Sequence, residues 1–203
     1  FPTRRSSDLK DGTLKGQSFG NLFLAAMDGI SDNFEDAVQK MSSVLAVTGK
    51  VLPVTLDDMQ LEAILENGNK VIGESQIPVE ALNQKSKIKK LMINPENAEP
   101  LKDALDAIKE ADAIVIGPGS LYTSIIPNLL VKKISNSVRK SDAIKIYVSN
   151  IMTQPGETDN FDVSDHVKII KKYGGKEIVD YVIANSGEIS ERSEERRVGK
   201  ECR

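Results

Sequence analysis

Cysteine is almost missing from this chain of 203 residues: Cys202 is the only one. It stands next to the carboxy terminus, so neither a disulfide framework nor a cysteine-ligated metal site can be built, and a reducing compartment such as the cytosol fits. Histidine is as scarce, with His166 alone, which leaves it without a cluster of metal ligands or an identified nucleophile beside it. No apolar run approaches the ~20 residues that a membrane-spanning helix requires. Internal repeats and low-complexity tracts are also lacking, and the length is that of one ordinary domain. Two common nucleotide motifs are absent. No glycine-rich loop ends in Gly-Lys-Ser/Thr, and Gly117 and Gly119 are followed by Tyr122 where the dinucleotide pattern G-x-G-x-x-G would place its third glycine.

The two ends do not read as part of the fold. Residues 1–9 can be written with the codons TTC CCT ACA CGA CGC TCT TCC GAT CT, and the reverse complement of that string translates to R-S-E-E-R-R-V-G-K, which stands at residues 192–200. The ends are therefore opposite strands of one oligonucleotide resembling a sequencing-library adapter. Residues 1–9 and 192–203 are set aside, and residues 10–191 are expected to form one partial domain cut from a longer protein. Seven of the 27 basic residues but only four of the 30 acidic ones lie in those ends, which leaves the centre near a net −6. An acidic balance of that size argues against a binder of the phosphate backbone of nucleic acid.

What the centre does contain is a strand feeding a polar loop. Residues 111–116 are a short apolar run, after which Gly117, Pro118 and Gly119 lead into Ser120, Tyr122, Thr123 and Ser124. Glycines let backbone amides approach a ligand, and hydroxyls crowd the turn where a helix begins, which suits an anion. The other reading is a tight turn capped by Ser120. A second strand, residues 144–148, runs into Asn150, Thr153, Gln154 and Glu157. Two polar loops at two strand ends imply one shared crevice. A third polar turn holds Gly20 and Asn21, where Asn21 donates to a ligand phosphate or caps a helix. His166 is expected to begin a helix over residues 167–173, either reaching the crevice or facing solvent in the first turn. Asp165 reads as a helix-start carboxylate.

Apolar spacing predicts helices over residues 21–30 and 34–45, the second capped by Asp32 or Asn33 with a stripe through Phe34, Val38, Met41 and Leu45. Short strands are expected at residues 50–55, 61–65, 70–74 and 88–93, the middle two joined by an Asn-Gly hairpin. The lysines of residues 85–90 read as a strand edge facing water. A helix at about 100–110 then leads into alternating strands and helices that end in a strand at 178–184. That order implies an α/β fold with a mostly parallel sheet covered by helices and a small antiparallel insertion at about residues 50–93.

The longer strings are more specific. G-Q-S-F-G-N-L-F-L, G-K-V-L-P-V-T, A-D-A-I-V-I-G-P-G-S-L-Y-T-S-I-I-P-N-L-L-V and Y-V-S-N-I-M-T-Q-P-G-E-T, with D-H soon after, strongly resemble the bacterial gluconeogenesis factor family across residues 15–185. That family is related to 2-phospho-L-lactate transferase of deazaflavin coenzyme synthesis, which shares the G-P-x-S-x-x-x-S-I-x-P-x-L core of the loop. The resemblance implies a Rossmann-like three-layer fold, incomplete here at both ends, in a cytoplasmic protein that binds UDP-sugars and supports cell-wall precursor supply and cell shape during gluconeogenic growth. It implies a ligand site made of Gly20, Asn21, Gly117, Pro118, Gly119, Ser120, Tyr122, Thr123, Ser124, Asn150, Thr153, Gln154, Glu157 and His166, with no catalytic or metal-binding residue assigned. The implied partners are a cell-wall precursor enzyme or another regulatory protein, with a homo-oligomer also open. Neither nucleic acid nor a membrane is expected. The alternative is a transferase that moves a phospholactyl group onto a deazaflavin alcohol. One departure is Gln17, where the family usually carries histidine.

Overall fold

The computed structural model describes residues 19–45 and 49–187. The expectations placed on residues 1–9, Gln17 and residues 192–203 lie outside the described residues. The first described elements are helices α1 (Phe19–Gly29) and α2 (Phe34–Val44), which pack on each other. Asn33 starts α2, its side-chain oxygen accepting the Asp36 N–H at 2.9 Å, and Glu35 and Asp36 add negative charge in the first turn, where the helix dipole favours it. Of the expected stripe only Val38 is buried, beside Ala37. Phe34 and Leu45 are 43% and 56% exposed.

The insertion is an antiparallel sheet in the order β2-β1-β3, built from β1 (Gln60–Leu65), β2 (Lys70–Ile72) and β3 (Ile88–Asn94). The Asn67-Gly68 turn is as expected, with Gly68 at φ +92°. Residues 50–55 are not a strand. Pro53 cannot donate to a ladder, and among the described residues the segment's only strand-type pairing is the isolated bridge Thr55–Pro100. Between β2 and β3 lies a helix that the periodicity does not announce, α3 (Gln76–Asn83), whose Ile77 and Ala81 are buried in the same core as Leu61, Ala63, Leu65, Leu91 and Ile93. Lys89 and Lys90 on β3 face water. The insertion is tied to the rest of the molecule through that same strand: Leu91 N–H donates to the Tyr173 hydroxyl at 2.8 Å, and Lys172 Nζ donates to the Lys89 carbonyl at 3.1 Å.

After α4 (Lys102–Glu110), three strands form a parallel sheet in the order β4 (Ala113–Ile116), β5 (Ile144–Val148), β6 (Tyr181–Ile183). The β4–β5 crossover contains a π-helical turn (Leu121–Ile125), α5 (Ile126–Leu130) and α6 (Lys132–Lys140), and the β5–β6 crossover contains α7 (Val163–Gly174). Helix α6 turns Ile134, Ser135 and Val138 inward and leaves Lys132, Lys133 and Lys140 outside, the division an amphipathic helix on a sheet requires. One sheet face packs under the helices through Tyr147, fully buried, and the half-buried Ile114 and Ile116. The other face carries Val115, Ile144, Tyr181 and Ile183, 50–64% exposed among the described residues.

Helix α7 starts earlier than the sequence suggests. Asp162 caps it by accepting the Asp165 N–H at 2.9 Å, and Asp165 returns the bond to the Asp162 N–H at 3.3 Å, a capping box made of two aspartates. The earlier start puts His166, Ile170 and Gly174 on one stripe at four-residue spacing, and all three are buried. His166 therefore points into the core rather than into solvent.

Candidate functional site

The two strand-end loops close on one another through two side chains. Asn150, just past β5, behaves as a strand would toward the loop after β4: its Oδ1 accepts the Gly119 N–H at 3.0 Å, and its Nδ2 donates to the Gly119 carbonyl at 2.7 Å. Glu157 makes the second clasp. Its carboxylate accepts the Tyr122 N–H at 2.9 Å, the Thr123 hydroxyl at 2.7 Å and Gln154 Nε2 at 3.1 Å. Burial pushes the Glu157 carboxyl up, the bonds from Thr123 and Tyr122 pull it back, and the nearby charge of Glu74 adds to the rise. Burial likewise pushes up the phenol of Tyr122.

Glycine is needed in these loops for close packing. Gly117 has φ +83°, and a Cβ there would meet the Val148 carbonyl oxygen at 2.8 Å. Gly119 is different, since a Cβ would reach only ordinary contact with Ser124 at 3.5 Å. Several loop amides are already committed to protein acceptors. Gly119 and Tyr122 donate to Asn150 and Glu157, and the Ser124 and Ile125 N–H groups both donate to the Ser120 carbonyl, at 2.9 and 3.0 Å. What faces outward at the loop is therefore chiefly hydroxyl. The Ser120 side chain does not cap the π-helical turn that follows it.

Ser120, Thr123, Ser124, Gln154 and Glu157 line one cavity of about 470 Å³, together with Glu74, Ser75 and Pro78 from the insertion. Those last three are the site residues that the sequence reading missed. The local signal was Glu-Ser ahead of an apolar run, a helix-start pattern at the place where α3 begins. The expected residues are only partly gathered here. Gly117, Pro118, Gly119 and Asn150 are not among the lining residues, and Thr153 is half-buried in the same loop as Gln154. Gly20 and Asn21, in the first turn of α1, are not among the lining residues.

His166 lies below the loop. Its Nδ1 is 3.0 Å from the Asp162 carbonyl oxygen, its ring stacks near Tyr147 with centroids 6.5 Å apart, and the Phe161 ring meets it edge-on at 5.7 Å. Neither His166 Nε2 nor the Tyr147 hydroxyl has a hydrogen-bond partner among the described residues. Among those residues no group of three or more His, Cys, Asp or Glu side chains is placed to hold a metal, and no helix is long and apolar enough to cross a membrane.

Comparison with known proteins agrees with the loop pattern. The sequence profile of the family described as "2-phospho-L-lactate transferase CofD" matches residues 3–202. A protein of Clostridium acetobutylicum that bears the gluconeogenesis-factor name is 66% identical over 183 residues, covering 90% of this chain and 41% of that protein. The gluconeogenesis factor of Bacillus subtilis is 48% identical over 180 residues, covering 89% and 56%. A crystal structure of a UPF0052 family member from Bacillus halodurans superposes with a TM-score of 0.86 at 42% identity, covering 96% of this chain and 62% of that one. The chain thus spans about half the length of the curated relatives it matches. Both the profile and the named relatives fall on the strand-loop-helix segments described above, and the chain belongs to the 2-phospho-L-lactate transferase CofD family, alongside the gluconeogenesis factors.

Proposed function

We propose that this chain is part of a non-catalytic regulator that holds a nucleotide sugar, a UDP-sugar, between its strand-end loops. In this reading the bound form acts in the cytoplasm on a partner protein that controls cell-wall precursor supply and cell shape during gluconeogenic growth. The observation that supports it is the clasp of Asn150 and Glu157, which fixes two loops around a cavity walled by the hydroxyls of Ser120, Thr123 and Ser124. Hydroxyls on short side chains lose little rotamer freedom on binding, so the wall suits a ligand of many acceptors. The names of the relatives support the link to gluconeogenesis.

Ser124 tests this reading because its side chain is exposed at the cavity and its removal leaves the clasp intact. In the full-length protein, Ser124→Ala is expected to weaken UDP-sugar binding by about 1.5–3 kcal/mol, one hydrogen bond to a charged group, with no loss in thermal stability. Titration calorimetry on both forms reads this directly, and an unchanged affinity would remove the loop from the ligand site.

The family's description supports a second reading, a transferase that moves a phospholactyl group onto a deazaflavin alcohol. It is distinguished by incubating the intact protein with the phospholactyl donor, the deazaflavin alcohol and magnesium. Metal-dependent product formation with nucleotide release would replace the regulator by the enzyme.

A further inference from the structure

The cavity has two walls of different origin, and their chemistry differs. The loop wall offers hydroxyls, whereas the insertion wall offers Glu74 and Ser75 from the turn between β2 and α3. Among the described residues no cation side chain lines the cavity, and the two charged groups that do are the carboxylates of Glu74 and Glu157. Ionised carboxylates repel phosphate and accept hydrogen bonds only from donors. The diphosphate of a nucleotide sugar therefore does not belong against the insertion wall, and the part that suits that wall is neutral and rich in hydroxyls.

Glu157 is already occupied with three donors from its own chain. Glu74 is not: among the described residues its exposed carboxylate makes no hydrogen bond or ion pair. Ser75 occupies the cap position of α3, yet its side chain makes no capping bond. Both groups are free for a ligand. Their position is also fixed, because Gly156 lies so close to the insertion that a Cβ there would stand 2.1 Å from the Pro78 carbonyl oxygen. The wall is seated directly on the loop that carries Glu157.

We infer that the β2–α3 turn of the insertion is the sugar-recognising wall of the site, with Glu74 accepting hydrogen bonds from the sugar hydroxyls and Ser75 beside it, so that the insertion sets sugar specificity. This inference rests on the nucleotide-sugar reading above. A carboxylate pairs well with two neighbouring hydroxyl donors of a ring, which makes Glu74 selective for the sugar over the bare nucleotide.

Calorimetry on the full-length protein with UDP-glucose, UDP-N-acetylglucosamine and UDP alone tests it, using the wild type and Glu74→Ala. The wild type is expected to bind at least one of the two sugars more tightly than UDP. Glu74→Ala is expected to weaken that sugar's binding about tenfold or more, to leave UDP within about twofold and, since Glu74 is exposed, to keep the wild-type melting temperature. Equal losses for UDP and the UDP-sugar, or no loss for either, would overturn the role of the insertion while leaving nucleotide-sugar binding in place. A wild type that binds UDP as tightly as its sugars would do the same. If the wild type binds none of the three, the nucleotide-sugar reading itself is overturned.

Discussion

Gly156→Ala should be among the most damaging single substitutions in the described part of this chain. Two costs coincide there. The residue sits at φ +78°, where a Cβ is strained, and that Cβ would lie 2.1 Å from the Pro78 carbonyl oxygen, 2.8 Å from its carbonyl carbon and 3.0 Å from its Cα. A left-handed conformation costs an L-residue roughly 1–2 kcal/mol, and forcing atoms into packed backbone adds about 1–3 kcal/mol because backbone cannot rotate aside. The expected loss is about 3 kcal/mol or more, or roughly 6–12 °C in melting temperature for a domain of this size. Gly68→Ala is the control. Gly68 has φ +92° but open space within 4 Å, so it should lose only the conformational part, about 1 kcal/mol. Thermal melts of the two variants measure the difference, and equal losses would mean that the insertion does not rest on the Gly156 loop.

Glu157 carries the second large effect, and it depends on pH. Glu157→Ala removes the acceptor of a buried N–H and of the Thr123 hydroxyl, which should cost about 2–4 kcal/mol from unpaired donors and the space left behind. The titration works in the opposite direction to an ordinary paired carboxylate. Its folded value is raised, first by burial and further by Glu74. A raised carboxyl gives its full contribution below the unfolded value and loses it as pH rises through the folded value, because the unfolded chain gives up the proton first. From the ordinary glutamate value upward, the wild type should therefore lose stability relative to Glu157→Gln, which does not titrate. Denaturant melts across that window are expected to show the wild-type advantage shrinking with pH. An advantage that grows with pH would mean that the carboxylate is stabilised as the anion.

The catalogue of elements was legible where periodicity was strong. The apolar runs of β4 and β5 and the Asn-Gly hairpin were marked in the sequence, as was a cap at Asp32 or Asn33, of which Asn33 is the one used. Helix α3 escaped because Pro78 interrupts its pattern, although proline is tolerated in the first turn, where its missing N–H has no partner to lose. The early start of α7 is not legible because its capping box is Asp-x-x-Asp, so the sequence places His166 at the helix start, whereas it is one turn inside and faces the core. The polar loops were legible as loops, but the use of their amides was not. Asn150 and Glu157 take up the Gly119 and Tyr122 N–H groups from 31 and 35 residues away. Glu74 and Ser75 reach the same cavity from before β3, a contact that local spacing does not encode.

The central claim is that these loops hold a ligand through its nucleotide diphosphate as well as its sugar. It is tested most directly by titrating the full-length protein in a calorimeter with UDP-glucose and UDP-N-acetylglucosamine, each against the matching free sugar at the same pH and salt. The account predicts saturable binding of a UDP-sugar, with the free sugar at least about tenfold weaker, since each hydrogen bond to a charged group is worth about 1.5–3 kcal/mol. Equal affinity for a UDP-sugar and its free sugar would contradict it.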